Sequence, residues 1–562
     1  MESKIRQAIE QVCVALDASD VVFAVEHPAD LSHGDYATNI AMALSKRLGK
    51  NPRELAEHFT NELRSMLPEV EAIEIAGPGF INFRLKRAFF AKQVAAIRDA
   101  DNAWGKNDSW KGKMVLVEYT DPNPFKEFHI GHIFTNTVGE SIARLFMMNG
   151  ANTKRLNYQG DVGLHVAHAI WGMRELGLTP ASDFSARDLG RAYAHGATAY
   201  KNEDARAVLE IRELNKKVYD RSDEAINALY DAGRAVSLAY FEQLYALLDT
   251  QFDAYFFESE VGPNGKALVL AHPEVFPLSD GAHIFKGEDY GLHTRVFLNK
   301  EGLPTYEAKE LALAKIKEER LGVYDHSVIA TANEVTEYFK VLQKAMSFVY
   351  PELSEKTEHI GHGMVRLATG KMSSRTGDVI SAIDFMAEVA DAAAAKMDEG
   401  GKVAPSEELA HDIALGAIRY ATLRGNVSQD SIFDKERALS FEGDSGPYLQ
   451  YTHARIVSVL EKAREAGVVP DTAETPAEPY MIEKILYRFE EVIREALAIR
   501  SPHVVATYLI EVAGAFNSFY ATEKIADATD TYAPYKAALA DAVRVTLKNG
   551  LWVLGIKAPE KM

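Results

Sequence analysis

Apolar residues recur at helical spacing near the start of the chain, where Ile5, Ile9, Val12 and Leu16 form one stripe with charged residues between them. That spacing predicts an amphipathic core helix rather than an export signal. Helical patterning continues through Leu63, and the segment 73–85, IEIAGPGFINFRL, then reads as strand-like. The stretch DNAWGKNDSWKGK marks a linker, and 113–119 (KMVLVEY) is a short β-branched run of the kind a buried strand shows. A Pro-rich turn follows. Val138, Ile142, Leu145 and Phe146 then recur at helical spacing, with Asn149-Gly150 as a stop.

Further strand-like runs at 153–157 and 327–331 alternate with helical patterns, which predicts a parallel sheet interrupted by a mostly helical insertion at about 180–250. From Ser406 onward the pattern is nearly all helix, with long stripes at 480–500 and 501–520. The predicted architecture is multidomain α/β: an N-terminal α+β domain over 1–105, a Rossmann-like parallel-sheet domain over 106–405 carrying the insertion, and an all-α bundle over 406–562.

A length of 562 residues agrees with roughly three or four domains. With 47% hydrophobic and 25% charged residues the composition is that of a globular protein, and no stretch reads as a run of about 18 apolar residues, so no membrane partner is expected. The single cysteine, Cys13, excludes internal disulfides and any multi-cysteine metal site; it agrees with a reducing compartment, and the expected location is the cytoplasm. A formal charge of -19 opposes nonspecific attraction to phosphate backbones, so any nucleic-acid partner needs local basic groups.

Two segments carry candidate chemistry. His-Ile-Gly-His occurs at 129–132 and again at 359–362. Context separates the copies. The first follows a predicted strand and Pro turn and opens a helix, which places backbone amides, and imidazoles either side of a glycine, where an anion binds. The second reads on into a strand-like GMVRLA and is expected to be structural. The other segment is Gly370-Lys371-Met372-Ser373-Ser374-Arg375-Thr376-Gly377-Asp378, a glycine-flanked, basic, hydroxyl-rich loop suited to a triphosphate, with Lys371 as a point charge. By itself it is an ordinary surface turn.

The pair, about 240 residues apart, resembles the HIGH and KMSKS signatures of class I aminoacyl-tRNA synthetases, with Ser374 and Arg375 departing from the second at its last two positions. VEYTDPNPFKEFHIGH, RLNYQGDVG, PTYEAKELALA, PYLQYTHAR, the N-terminal HGDYATNIAMAL and PGFINF, and the closing GLWVLGIKAPEKM together resemble arginyl-tRNA synthetases along essentially the whole chain.

That resemblance implies ATP-dependent ligation of L-arginine to tRNA(Arg) through an arginyl-adenylate, with Mg2+ accompanying ATP, no structural metal, tRNA required before activation, and a monomer. It implies catalytic roles for Lys126, His129, His132 and Lys371, and an ATP site of His129, Gly131, His132, Lys371, Met372, Ser373, Ser374 and Arg375. Glu118 and Asn123 are matched to the substrate's ammonium and carboxylate, and Tyr306 and Glu310 to its guanidinium. Glu310 stands where the family usually has aspartate, and a glutamine usual near Asn333-Glu334-Val335 is missing. Independently, a planar fork of five donors that keeps its charge demands carboxylates and neutral acceptors. For tRNA, the anticodon is matched to Tyr448, Tyr451 and Arg455 at i, i+3 and i+7, an aromatic and guanidinium face suited to splayed bases. The elbow is matched to Phe80 and Asn82. Rival specificities are disfavoured: cysteine for want of zinc-binding cysteines, glutamate and glutamine because the candidate pocket is acidic. A catalytically silent paralogue is opposed by the retained His129, His132 and Lys371, and a small HIGH-containing nucleotidyltransferase would not need the long helical C-terminal part.

Overall fold

The computed structural model describes residues 1–368, 381–400 and 406–562. They form two compact units, one of residues 1–105, 455–492 and 511–549, the other of 106–454, 493–510 and 550–562.

The larger unit is built on five parallel strands: β1 (Met114–Glu118), β2 (Asn152–Gln159), β3 (Ala254–Phe257), β4 (His326–Ala332) and β5 (Thr357–His362). Their order in space is β5-β4-β1-β2-β3. The chain therefore starts in the middle, winds outward to β3, and returns to the other side of β1 for β4 and β5. A sheet wound in both directions opens a crevice at the carboxyl ends of the two strands where winding reverses, here β1 and β4, and ligands bind there. The expected parallel sheet and Rossmann-like winding are present. Val115, Leu116 and Val117 have no exposed surface, which is why β1 reads as a continuous apolar run rather than an alternating one.

The helices that matter to the crevice are α1 (Ile130–Met148) after β1, α2 (Leu164–Glu175) after β2, α3 (Glu258–Ala271) after β3, α4 (Tyr306–Leu321) before β4, and α5 (Thr336–Val349) after it. Buried Glu140 ties α1 to the sheet: it pairs with Arg144 at 2.8 Å and Arg155 at 3.4 Å and accepts the Tyr119 hydroxyl. These cations and the Tyr119 hydroxyl keep its carboxyl below the usual range despite burial. The insertion consists of helices Ala186–Lys201, Ala205–Asp220 and Glu224–Leu247, as its pattern predicted. A small antiparallel sheet, Leu278–Ser279, Ala282–Phe285 and Arg295–Leu298, precedes α4.

In the smaller unit, four antiparallel strands lie in the order Val25–Glu26, Tyr36–Thr38, Phe80–Leu85, Val70–Ala76, with helices Glu2–Ala15, Ile40–Leu48, Pro52–Met66 and Arg87–Ala100. Here 73–85 is a hairpin and not one strand. Gly77 and Gly79 take φ of 52° and 135° and turn the chain, a reversal that an apolar count across GPG does not register. Glu491, from the helical part of this unit, accepts bonds from the Tyr36 hydroxyl at 2.8 Å and pairs with His27 at 2.9 Å, which holds its carboxyl down at about 2. Two further readings need correction. The stripe at 480–500 is two short helices, Glu483–Leu486 and Phe489–Ala498, and the nearly all-helical region contains a strand, Ser431–Phe433, that pairs with Val365–Leu367. Helix His503–Thr522 is long and apolar enough by length and composition to cross a membrane, and 44% of that window is buried inside the fold. Thr507, Glu511, Asn517 and Ser518 interrupt it, so it holds no run of about 18 apolar residues.

Candidate active site

The turn that leaves β1 is strained. Thr120, Asp121 and Phe125 have φ of 82°, 42° and 67°, a region that side chains with a Cβ seldom enter and that clusters at functional sites. Side-chain bonds hold it there: Thr120 Oγ1 accepts from Asn136 Nδ2 at 3.1 Å, Asp121 accepts the Tyr158 N–H at 2.8 Å, and the Phe125 N–H donates to Ser237 Oγ at 2.9 Å. The turn delivers His129 as the N-cap of α1, with extended backbone.

The His129 N–H donates to His132 Nδ1 at 3.1 Å, and the rings stack with centroids 3.8 Å apart. Because Nδ1 of His132 accepts, its proton sits on Nε2, which remains a donor. Burial and neighbouring Lys126 lower His129 to about 4, and burial with His129 and Lys126 lowers His132 well below its usual value. Both imidazoles are thus neutral at pH 7, which permits their stacking and leaves them as hydrogen-bond donors rather than charges. Lys126 Nζ lies 4.7 Å from the Tyr193 ring centroid, on the first insertion helix. Gly131 has no room for a side chain: a Cβ there meets the His129 ring at 2.9 Å. Gly131→Ala is therefore expected to displace His129 and raise the KM for ATP about tenfold or more at unchanged fold, measured by steady-state kinetics beside a thermal melt.

Residues 369–380, and with them Lys371, Met372, Ser373, Ser374 and Arg375, lie outside the described residues. The chain just beyond is informative. Ser381 bridges to His129, and the Ala382 N–H donates to the Phe128 carbonyl at 2.9 Å. The described chain from Ser381 onward is thus joined to the His129 turn at the carboxyl end of β1. The second His-Ile-Gly-His copy lies in β5: His359 stacks on Phe339 with centroids 4.0 Å apart and bonds Thr331 Oγ1 at 2.7 Å, while His362 bonds Thr135 Oγ1 on α1 at 2.9 Å. Its imidazoles are engaged within the fold.

Deeper in the crevice the structure gathers carboxylates. Glu118, at the end of β1, is 1% exposed, and Glu310, on α4, is 2% exposed. Tyr306 lies one turn before Glu310, partly exposed, its ring beside Tyr158 and Tyr338 with centroids 6.5 and 5.1 Å away. Asn123 crosses the opening: a Cβ on Gly160 meets Asn123 Oδ1 at 2.4 Å and the Glu258 carboxyl carbon at 3.5 Å. Sequence reasoning missed Asp121, Tyr158, Glu258, Lys309 and Lys317. Lys317 Nζ lies 2.7 Å from Glu118 Oε2, and Lys309 forms a buried ion pair with Glu258. The signal for Lys317 was its seven-residue spacing from Glu310, two turns along one face of α4.

The cavity is short of cations. Burial, and then the neighbouring Glu118, push Glu310 up to about 8, only partly offset by Lys317 and the Tyr306 hydroxyl. Asp121 is raised well above the usual range by burial and Glu118. Among the described residues Glu310 Oε1 and the Tyr158 hydroxyl are buried without a hydrogen-bond partner, and Glu118 Oε2 has no well-directed bond despite its ion pair. Unpartnered acceptors in an acidic cavity are costly unless a ligand supplies donors and positive charge.

The remaining candidates lie elsewhere. Tyr448 and Tyr451 are half-buried on helix Gly446–Glu465, with Phe441 6.1 Å from Tyr451 between centroids; Arg455 donates to Asn517 at 2.9 Å. Phe80 is half-buried at the hairpin, while Asn82 is 6% exposed within the sheet.

Comparison with known proteins accounts for each part of the chain. A family model described as the catalytic domain of class I (R) tRNA synthetases matches residues 93–435, one described as the arginyl tRNA synthetase N terminal domain matches 1–85, and one described as the DALR anticodon binding domain matches 449–562. The arginine--tRNA ligase of Clostridium acetobutylicum is 30% identical over 559 residues, 98% of each chain, and that of Clostridium beijerinckii 30% identical over 576 residues, 100% of each. Among solved structures, Thermus thermophilus arginyl-tRNA synthetase matches with a TM-score of 0.80 at 26% identity over 100% of both chains. The Plasmodium falciparum enzyme shares the fold at 0.81 and 19% identity, covering 100% of this chain and 98% of its own. Since a catalytic-domain model spans more than half of the 562 residues and relatives match from end to end, this chain belongs to the arginyl-tRNA synthetase family.

Proposed function

We propose that the protein activates L-arginine with ATP and transfers it to tRNA(Arg), the reaction that defines its family. The observation that carries the reading is the cluster of buried carboxyls at the end of β1, where Glu310 is pushed up to about 8, on the strand that leads into an anion-suited helix N-terminus. In the first step the arginine carboxylate attacks the α-phosphorus of ATP and pyrophosphate leaves. No protein nucleophile is needed, because such transfers depend on alignment and on groups that meet spreading phosphate charge. His129 and His132 donate from neutral imidazoles, Lys126 supplies a cation to the same side, and Gly131 allows close approach. Lys371, with Met372, Ser373, Ser374 and Arg375, acts on the leaving pyrophosphate. Mg2+ accompanying ATP would supply further positive charge to the phosphates. In the second step the arginyl group passes to the terminal adenosine of tRNA, on its 2′-hydroxyl, and activation awaits tRNA.

Glu310 and Tyr306 take the guanidinium, Glu118 and Asn123 the ammonium and carboxylate end. For the domains, the α+β part at 1–105 is assigned to the tRNA elbow through Phe80 and Asn82, 106–405 to catalysis, and 406–562 to the anticodon through Tyr448, Tyr451 and Arg455. The protein acts as a cytoplasmic monomer. Pyrophosphate exchange and aminoacylation over all amino acids, with and without tRNA(Arg), test the reading: activity with arginine alone is expected, and a different preferred amino acid overturns it.

The pocket also makes stability depend on pH. Glu310 carries a raised pKa in the folded, empty protein, so between about 4.5 and 8 the folded state binds more protons than the unfolded chain, and its contribution to stability falls as pH rises. Arginine relieves the carboxylate. The upward shift in melting temperature caused by saturating arginine is therefore expected to grow from pH 6 to pH 8, as thermal melts at fixed ionic strength will show.

A further inference from the structure

We propose that Lys317 is a positioning residue for arginine recognition: its ammonium holds Glu118 in place before substrate arrives, leaving Glu310, with its unpartnered Oε1, as the carboxyl that meets the guanidinium. The inference rests on the reading of this cavity as the arginine pocket and extends it to a residue that touches no substrate. Lys317 is 2% exposed, far too buried for a solvated surface charge, and a buried ammonium persists only beside anions. It forms an ion pair with Glu118, 2.7 Å away, and its charge also acts on Glu310 and Asp121. The pair leaves the site asymmetric. Glu118 and Glu310 lie close enough to oppose each other's charge, but the cation lies on Glu118, so Glu118 meets the ligand already paired while Glu310 brings an unpartnered Oε1.

The other titratable groups around the pair do not take over this task. Asp121, on the turn after β1, adds negative charge and is committed through Oδ1 to the Tyr158 N–H. Glu258 at the start of α3 is matched by Lys309, which also donates to the Tyr219 hydroxyl at 3.3 Å. Tyr158 on β2, Tyr306 on α4, Tyr324 before β4 and Tyr338 on α5 are phenols that burial pushes upward, and all stay neutral at working pH. Lys317 is thus the cation that shapes how Glu118 and Glu310 share charge. When arginine binds, the Glu310 proton passes to solvent and the guanidinium takes its place; the ammonium of Lys317 stays where it is.

The experiment is calorimetric titration of the full-length protein with L-arginine from pH 6 to pH 9.5, in buffers of differing ionisation enthalpy. In the wild type the affinity is expected to rise with pH and level off near 8. In Lys317→Met the break should move up by about one pH unit, because a cation beside a carboxyl lowers it by about 1–3 units, and affinity at pH 7 should fall about tenfold. Lys317→Arg, which keeps the charge, should restore the wild-type break; a purely structural role for the side chain predicts no movement in any variant. In the double variant Glu118→Gln/Lys317→Met, which removes the buried pair together, the break should return to the wild-type value or below it. An unshifted break in a folded Lys317→Met protein overturns the proposal, and so does a double variant whose break stays above wild type, whether or not the single variant folds. A wild-type protein that binds arginine no better than citrulline overturns the pocket assignment itself, a separate outcome.

Discussion

Glu310→Gln should raise the KM for arginine by ~30-fold to several-thousand-fold while changing kcat little, since removing one member of a buried charge pair costs about 2–5 kcal/mol. Glu310 is 2% exposed, has an oxygen without a partner, and stands in a cavity where its ionisation is opposed by burial and by Glu118. A glutamine keeps the shape and one acceptor but cannot take a full positive charge. The same substitution should flatten the pH dependence of arginine affinity between pH 6 and 8, because the group that exchanges its proton is gone. Glu310→Asp should keep that dependence with a smaller loss of affinity, since the shorter side chain retreats from the ligand by one methylene. Steady-state arginine kinetics at pH 6, 7 and 8 for the three proteins decide it. If Glu310→Gln leaves the KM within threefold of wild type, the guanidinium does not meet this carboxyl.

The second large effect belongs to Lys371. Lys371→Ala should lower kcat for aminoacylation ~100- to 1000-fold, the range for losing one electrostatic contact that strengthens as charge develops, and leave the arginine KM nearly unchanged. The support is positional: Ser381 bridges to His129, so the basic segment that begins at Lys371 rejoins the described chain at the helix N-terminus where phosphates are proposed to lie. Equal losses in kcat and in arginine affinity would make Lys371 a structural residue. The neutral His129 and His132 fit this division of labour, because hydrogen-bond donors orient the phosphates while the lysine supplies charge.

Glu118, Asn123, Tyr306 and Glu310 were matched to arginine through resemblance, because nothing in their spacing brings residues 118, 123, 306 and 310 together. The strand β1 was legible from its own composition, and so was the helix α1, since four apolar residues in a row, Met114 to Val117, and a 3.6-residue stripe are local patterns. The hairpin at Gly77–Gly79 was missed because a turn is a matter of backbone φ, and a count of apolar positions passes over it. Two identical tetrapeptides could be told apart by neighbouring residues, and the structure gives the physical ground: one caps a helix, the other lies within a strand with its imidazoles occupied.

Sequence alone determined the fold class, most of the elements and the family, because each depends on residues close in the chain or on the identity of a few side chains. Only the tertiary structure decided which carboxylates are short of cations. Glu118 and Lys317 are 199 positions apart in the chain, and their ion pair exists because β1 and α4 pack at the same crevice. Glu310 was matched to the guanidinium from the sequence, but its raised pKa comes entirely from what is folded around it. Ionisation in a cavity is a property of all the charges and all the buried surface within a few ångströms, and no local stretch of sequence contains that sum.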